Sequence, residues 1–165
     1  KNGKLFKMYK FRTMIVGADS EQSLEELQEL NEMDGPAFKI KDDPRITRVG
    51  KFIRKTSIDE LPQLFNVLSG KMSFVGPRPL IPEEKEIRQL RKEYNVYSVR
   101  PGITGLAQVN GRDMLTAEEK ALFDKEYVDK QSIGLDIKIM IKTVLVVLKR
   151  ENISEGGEPE NKRKV

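Results

Sequence analysis

The segment "KMSFVGPRPLIPEE" places Pro77, Pro79 and Pro82 within six residues, too many for a helix interior. Each ring fixes its own φ, removes a backbone donor and biases the residue before it toward extended geometry. The stretch therefore reads as a rigid extended loop that presents Arg78 from a fixed backbone, and helical patterns lie on both sides of it.

Upstream, "FKMYKFRTM" alternates apolar and basic residues and reads as a short half-buried strand, with Phe6, Met8 and Phe11 on one side. "DSEQSLEELQELNEMDG", residues 19–35, is an amphipathic acidic helix by its Leu24, Leu27, Leu30, Met33 stripe. After the Asp43-Pro44 turn, a basic helix is expected from Thr47 to Lys55. "KTSIDELPQLFNVLSG" then forms a second helix with Leu61, Leu64, Val67 and Leu68 on one face. Downstream, "EEKEIRQLRKEY" is a charged helix and "VRPGITGLAQVNGRD" a Gly-rich, turn-rich loop carrying Arg100, Gln108, Asn110 and Arg112. "TAEEKALFDKEYVDKQ" starts with a Thr116/Glu119 capping box. "GLDIKIMIKTVLVVLKR" is apolar almost all round but interrupted by lysines. It suits either a core helix or one lying on a membrane surface, and it is too short to span.

The chain has no Cys and no His, which removes disulfides, thiol nucleophiles, His-dependent triads and Cys/His metal sites. Acid–base or nucleophilic chemistry falls to Asp, Glu, Lys, Tyr, Ser or Thr, and a metal would be a hard, oxygen-liking ion such as Mg²⁺. Lys+Arg exceed Asp+Glu by only 30 to 26, yet residues 1–18 and 44–58 apart from that chemistry carry clustered bases. Such segments are either solvated surface or contacts for phosphate or anionic lipid. No signal peptide pattern or internal repeat is visible.

Asp59 and Glu60 admit two readings. Ser57-Ile58-Asp59-Glu60 fits a capping box, and acids in a first helical turn are favoured by the helix dipole. The same dipole and the neighbouring Arg54 and Lys55 would keep the carboxylates ionised, as a nucleophile or a Mg²⁺ ligand requires. With Arg78 on the proline loop and Arg112 on the Gly-rich loop, the set suits phosphoryl chemistry, which needs cations around the phosphates and a carboxylate to attack or to activate.

The motifs "KFRTM", "DPRITRVGKFIRKTSIDELPQLFNVLSGKMSFVGPRPL", "RPGITGLAQVNGR" and "DKEYVDKQSIGLDIKIMIKT", in this order and spacing from Lys4 to Arg150, resemble the bacterial sugar transferases, the monotopic phosphoglycosyl transferases. The resemblance implies transfer of a sugar-1-phosphate from a UDP-sugar to polyprenyl phosphate, with release of UMP, at the cytoplasmic face of a bacterial inner membrane. It implies Asp59 as the nucleophile that forms a covalent phosphosugar intermediate, and Glu60, with Asp59, as the Mg²⁺-binding partner. Arg54 and Arg78 match phosphate-binding arginines. Asp124 of "FDKEYV" resembles a further acidic site residue, against a plain reading as an exposed helix acid. Lys10, Arg12, Gln108 and Arg112 are weaker candidates for phosphate or nucleotide contacts.

Members of the family carry an apolar re-entrant helix ahead of the segment that corresponds to Lys10–Met14; these residues do not include one, so a trimmed chain is expected. The expected architecture is a mostly helical, compact α+β domain over residues 1–152 with a small strand element. A polar, disordered tail is expected over 153–165. A membrane surface is the expected partner, nucleic acid is not, and a homo-oligomer is compatible with the reading. The rival reading is a non-catalytic basic module that binds anionic lipid or nucleic acid, with Asp59 and Glu60 serving as caps.

Overall fold

The computed structural model describes residues 1–18, 20, 40, 43–111 and 114–149. The expected acidic helix, Arg112 and the tail over 153–165 lie outside them.

Helix α1 spans Arg48–Lys55, and a 3₁₀ turn, Ile58–Glu60, leads into the short α2, Gln63–Leu68. Strand β1, Ser73–Val75, precedes the proline loop, which is followed by α3, Lys85–Glu93, and a second 3₁₀ turn, Val96–Ser98. Strand β2, Gly102–Thr104, then α4, Leu106–Val109, α5, Ala117–Lys130, and α6, Ile133–Lys149, complete the described order. The class is α+β, as expected, but the strands are not where the alternating pattern put one.

β1 and β2 run parallel, with Ser73 opposite Gly102 and Val75 opposite Thr104. Their close approach depends on glycine. A Cβ on Gly102 would lie 2.2 Å from the Gly76 nitrogen, and one on Gly76 would lie 2.4 Å from the Arg100 carbonyl oxygen. Without side chains there, Gly76 N–H donates to the Thr104 carbonyl and Gly102 N–H to that of Pro77, both at 2.9 Å. The proline loop is thereby fastened to the Gly-rich loop at its root, next to Arg78.

Val75, Val109, Tyr127 and Ile139 form a buried core, with Val99, Leu106 and Leu135 packed against it. The Tyr127 hydroxyl lies 2.9 Å from Asp136 Oδ1 and 3.2 Å from the Val75 carbonyl oxygen, tying α5 and α6 to β1. Burial, reinforced by the Asp136 carboxylate, pushes its phenol above the ordinary range. Thr143 donates to the Ile139 carbonyl, so in its 2.6 Å contact with Thr104 it is the acceptor, and this links α6 to β2. Ile139 points inward while Ile141, Val144, Leu145 and Leu148 face outward, so α6 has both a core face and an exposed apolar one. No described helix is long and apolar enough to cross a membrane.

The alternating segment is extended but belongs to no sheet. Phe6 is half-buried, whereas Met8 and Phe11 are exposed. Instead of a strand partner it has a side chain: Asn66, fully buried at 0% exposure, accepts from Tyr9 N–H at 3.0 Å and donates to the Lys7 carbonyl at 2.8 Å. Further along, Phe11 N–H donates to the Asp59 carbonyl at 3.0 Å. An isolated antiparallel bridge pairs Met14 with Ile46, and the Thr13 carbonyl accepts from both the N–H and the hydroxyl of Thr47, the residue capping α1.

Gly50 makes that last approach possible, since a Cβ there would stand 2.0 Å from the Thr13 carbonyl oxygen. Gly50→Ala is therefore expected to destabilise the protein by about 1–3 kcal/mol through backbone displacement. Protease cleavage near Thr13 should become faster in parallel; unchanged denaturant midpoint and cleavage rate would refute this attachment.

Candidate active site

The turn between α1 and α2 carries the paired carboxylates. Ser57 has φ of 54° and no side-chain capping bond; its N–H donates to the Arg54 carbonyl at 3.0 Å and so closes α1. The expected capping box is thus overturned. A left-handed residue ending one helix cannot also adopt the extended geometry of an N-cap for the next. By contrast, the Thr116/Glu119 box at the start of α5 forms in full and holds the Glu119 carboxyl below its usual range.

Freed from capping, both carboxylates turn toward cations. Asp59 is 4% exposed and Glu60 9%. Lys10 Nζ stands 2.9 Å from Asp59 Oδ2 and 3.7 Å from Glu60 Oε1, and Arg78 donates to Glu60 Oε1 at 3.3 Å. The extended N-terminal segment and the proline loop therefore deliver their cations to the same pair from two sides. The positive charge opposite Asp59 comes from Lys10 rather than from a helix dipole.

Arg78 is held at its backbone. Its carbonyl accepts from Arg91 NH1 at 2.7 Å, and Arg91 Nε donates to Asp124 Oδ2 at 2.7 Å. Asp124 is 1% exposed, so the alternative of an exposed helix acid is excluded. Its ion pair and hydrogen bond join it to Arg91 rather than to the carboxylate pair. Burial pushes its carboxyl up to about 6 against the pull of Arg91, and its Oδ1 has no hydrogen-bond partner among the described residues.

The other candidates separate. Arg54 donates to the Thr13 hydroxyl at 2.8 Å, bracing the N-terminal segment, and Arg12 is exposed. Gln108 lies on α4 with both amide atoms buried and without a hydrogen-bond partner among the described residues. Asn110 donates to the Leu106 carbonyl and accepts from Lys142. The basic stretch also loses a member: Arg45 is buried and forms a two-pronged pair with Asp43, at 2.9 and 2.6 Å, that keeps the Asp43 carboxyl below its usual range. The Asp43-Pro44 turn gave no sign of it, although an Asp two residues before an Arg is a spacing that permits such a pair.

Two cavities meet Arg78. One, of about 320 Å³, includes Lys4, Phe6, Arg88 and Tyr97 in its lining. The other, of about 240 Å³, reaches Glu60 and Gln108 and is walled largely by hydrocarbon from Leu61, Leu64, Phe74 and α6. Leu61, Leu64 and Leu68 are exposed at 53%, 38% and 83%, while Gln63 and Asn66 are buried. The expected apolar face of α2 thus faces outward, because the buried side must hydrogen-bond the N-terminal segment.

The family model described as bacterial sugar transferase matches residues 1–150. The chain belongs to this family. Among bacterial sugar transferases it is 50% identical over 149 residues to the galactosyl transferase CpsE of Streptococcus agalactiae, a match covering 90% of this chain and 32% of that protein. It is 48% identical to the UDP-galactose-lipid carrier transferase of Erwinia amylovora and 48% identical to the undecaprenyl-phosphate galactose phosphotransferase of Salmonella typhimurium. Each of these matches covers 92% of this chain and 32% of the relative. The chain spans about a third of the length of these relatives.

Proposed function

We propose that this domain transfers a sugar-1-phosphate from a UDP-sugar to a polyprenyl phosphate such as undecaprenyl phosphate, releasing UMP, with Asp59 as the nucleophile. The observation that carries the reading is the buried Asp59-Glu60 pair, faced by Lys10 and by Arg78, a residue that lines two cavities, one of which also reaches Glu60. A pair made only to cap a helix would not need these cations, and the cap itself is missing.

In the first step an Asp59 carboxylate oxygen attacks the phosphorus that bears the sugar. The bond from that phosphorus to the bridging oxygen breaks, and UMP leaves with the electron pair. In the second step an oxygen of the lipid phosphate attacks the same phosphorus, the bond to Asp59 breaks, and a polyprenyl diphosphosugar is released. Lys10 and Arg78 supply positive charge for the phosphate oxygens, which is where preorganised cations are most effective. Burial of Asp59 excludes water that would hydrolyse the intermediate.

Mg²⁺ fits the donor set in one respect: the two carboxylates already converge on a single cation, the Lys10 ammonium, and Mg²⁺ is commonly bound by one or two carboxylates plus substrate phosphates. Glu60, with Asp59, would hold it, and when bound it would neutralise the diphosphate and aid departure of UMP. The more cationic cavity, with Tyr97 and Phe6 available to stack on a base, suits the nucleotide. α1 and α2 also expose Val49, Phe52, Phe65 and Leu68. Exposed apolar side chains beside basic ones suit a membrane surface, the cytoplasmic face of the bacterial inner membrane being the expected one.

The test is UMP release by the full-length protein with undecaprenyl phosphate, Mg²⁺ and a panel of UDP-sugars. UDP-galactose comes first because the three relatives are named for galactose. UMP release and a lipid-linked sugar with at least one donor are expected. Absence of both with every donor, together with salt-sensitive lipid or nucleic-acid binding, would favour the non-catalytic module instead.

A further inference from the structure

Gln108 is the polar group the proposed chemistry leaves unexplained. Both amide atoms, Oε1 and Nε2, are buried with no hydrogen-bond partner among the described residues, a costly state for a group that carries donors and an acceptor. Its Oε1 lies against the Gly-rich loop, since a Cβ on Gly105 would sit 2.7 Å away. The side chain also lines the hydrocarbon-walled cavity that reaches Glu60 and Arg78, into which the amide can turn.

The lining of that cavity sets Glu60, Arg78 and Gln108 against a majority of hydrocarbon. Leu61, Leu64 and Phe74 belong to that hydrocarbon, and all three are exposed at the surface. The hydrocarbon wall therefore runs out onto the apolar exterior. Within the cavity the Thr104 and Thr143 hydroxyls are engaged with each other and with the Ile139 carbonyl, so they do not offer the array of partners that sugar hydroxyls need. An amphiphile with an anionic head and a branched hydrocarbon root matches this arrangement, with its phosphate at Arg78.

We propose that this cavity seats the phosphate-proximal isoprene units of the lipid acceptor, and that Gln108 donates from Nε2 to its phosphate. The proposal rests on the transferase reading and adds to it the acceptor's location and a residue that selects it. The acceptor enters between α2 and α6, from the apolar exterior, while the sugar nucleotide occupies the cavity on the other side of Arg78. Two substrates can then use one carboxylate in turn without sharing a binding pocket.

Two measurements on the full-length protein in detergent decide it. An isoprenoid phosphate carrying a diazirine in its first isoprene units is photolysed on the protein without any sugar nucleotide, and the adducts are mapped by peptide mass spectrometry. Adducts are expected on residues 57–68, 73–76 or 143–148, and Val147→Trp, which fills the cavity from α6, is expected to suppress them. Adducts confined to the cavity of Lys4, Phe6 and Tyr97 would overturn the assignment. In turnover, Gln108→Leu is expected to raise the KM for the lipid phosphate roughly tenfold or more, as loss of a hydrogen bond to a charged group does, with little change in the KM for the UDP-sugar. Leu fills the same space without an unpartnered amide, so the fold should hold. A raised KM for the UDP-sugar alone would place Gln108 in the donor site and refute the proposal. If no UDP-sugar supports transfer, the transferase reading fails, while the photolysis result still decides the cavity.

Discussion

Asp59→Asn is expected to reduce transfer by at least about a thousandfold, the scale seen when a nucleophile is removed, and to leave no phosphosugar adduct on the protein. Asn preserves the shape of a side chain that is 4% exposed, so what is lost is the charge and the attacking oxygen. The fold should persist: the contact that uses Asp59 to anchor the N-terminal segment is its backbone carbonyl, which accepts from Phe11 N–H at 3.0 Å. Lys10 keeps Glu60 within 3.7 Å as a partner. Intact mass spectrometry after mixing wild-type protein with a UDP-sugar and Mg²⁺, before lipid is added, should show the mass of one phosphosugar. The same mixture with Asp59→Asn should not. An adduct that survives the substitution, or UMP release at the wild-type rate, would show that another group attacks.

The sequence disclosed the chemistry better than it disclosed the packing. The Pro77, Pro79, Pro82 spacing declares an unavoidable loop, and Arg78 does emerge from it beside Glu60. α5 is legible because Thr116 and Glu119 cap it locally, a short-range signal, and α1 because it follows the Asp43-Pro44 turn, although its Thr47 cap appears only in the structure. Three features failed for a common reason, namely that a distant partner overrides the local pattern. Residues 6–11 alternate like a strand, but their backbone hydrogen bonds go to the Asn66 side chain and the Asp59 carbonyl. The leucines of α2 look like a core stripe, but Asn66 and Gln63 take the buried side. Ser57 has the spacing of a cap, but closing α1 demands its left-handed φ. Among the site residues, Lys10 ranked low on sequence because a lysine in an extended basic segment resembles solvated surface. Its pairing with Asp59 arises only when Asn66 and the Asp59 carbonyl fasten that segment down.

Asp124 extends the same lesson to the proposed mechanism, because its link to the site passes through Arg91. Arg91→Met is expected to destabilise the protein by about 3–5 kcal/mol, since it leaves the Asp124 carboxylate buried and unpaired. Combining it with Asp124→Leu removes the orphan charge and should recover most of the stability, as replacement of buried ion pairs by hydrocarbon often does. Transfer should remain depressed by about a hundredfold in the stable double variant, because the Arg78 carbonyl has still lost its donor and a misplacement of about 1 Å at a reacting phosphate has that cost. A double variant that is stable and fully active would reduce the pair to a packing role.

The pH dependence supplies an independent sign. Burial raises the folded Asp124 carboxyl to about 6 from the ordinary 3.8, so between these values the folded chain holds a proton that the unfolded chain releases. The resulting stability is fully present below about 3.8 and is lost as pH rises through about 6. Denaturation of wild type and Asp124→Asn compared across this window should therefore show wild type gaining on the variant as the solution is acidified. The opposite slope would mean that Arg91 outweighs burial, and that the pair stabilises the fold as well as holding the Arg78 loop.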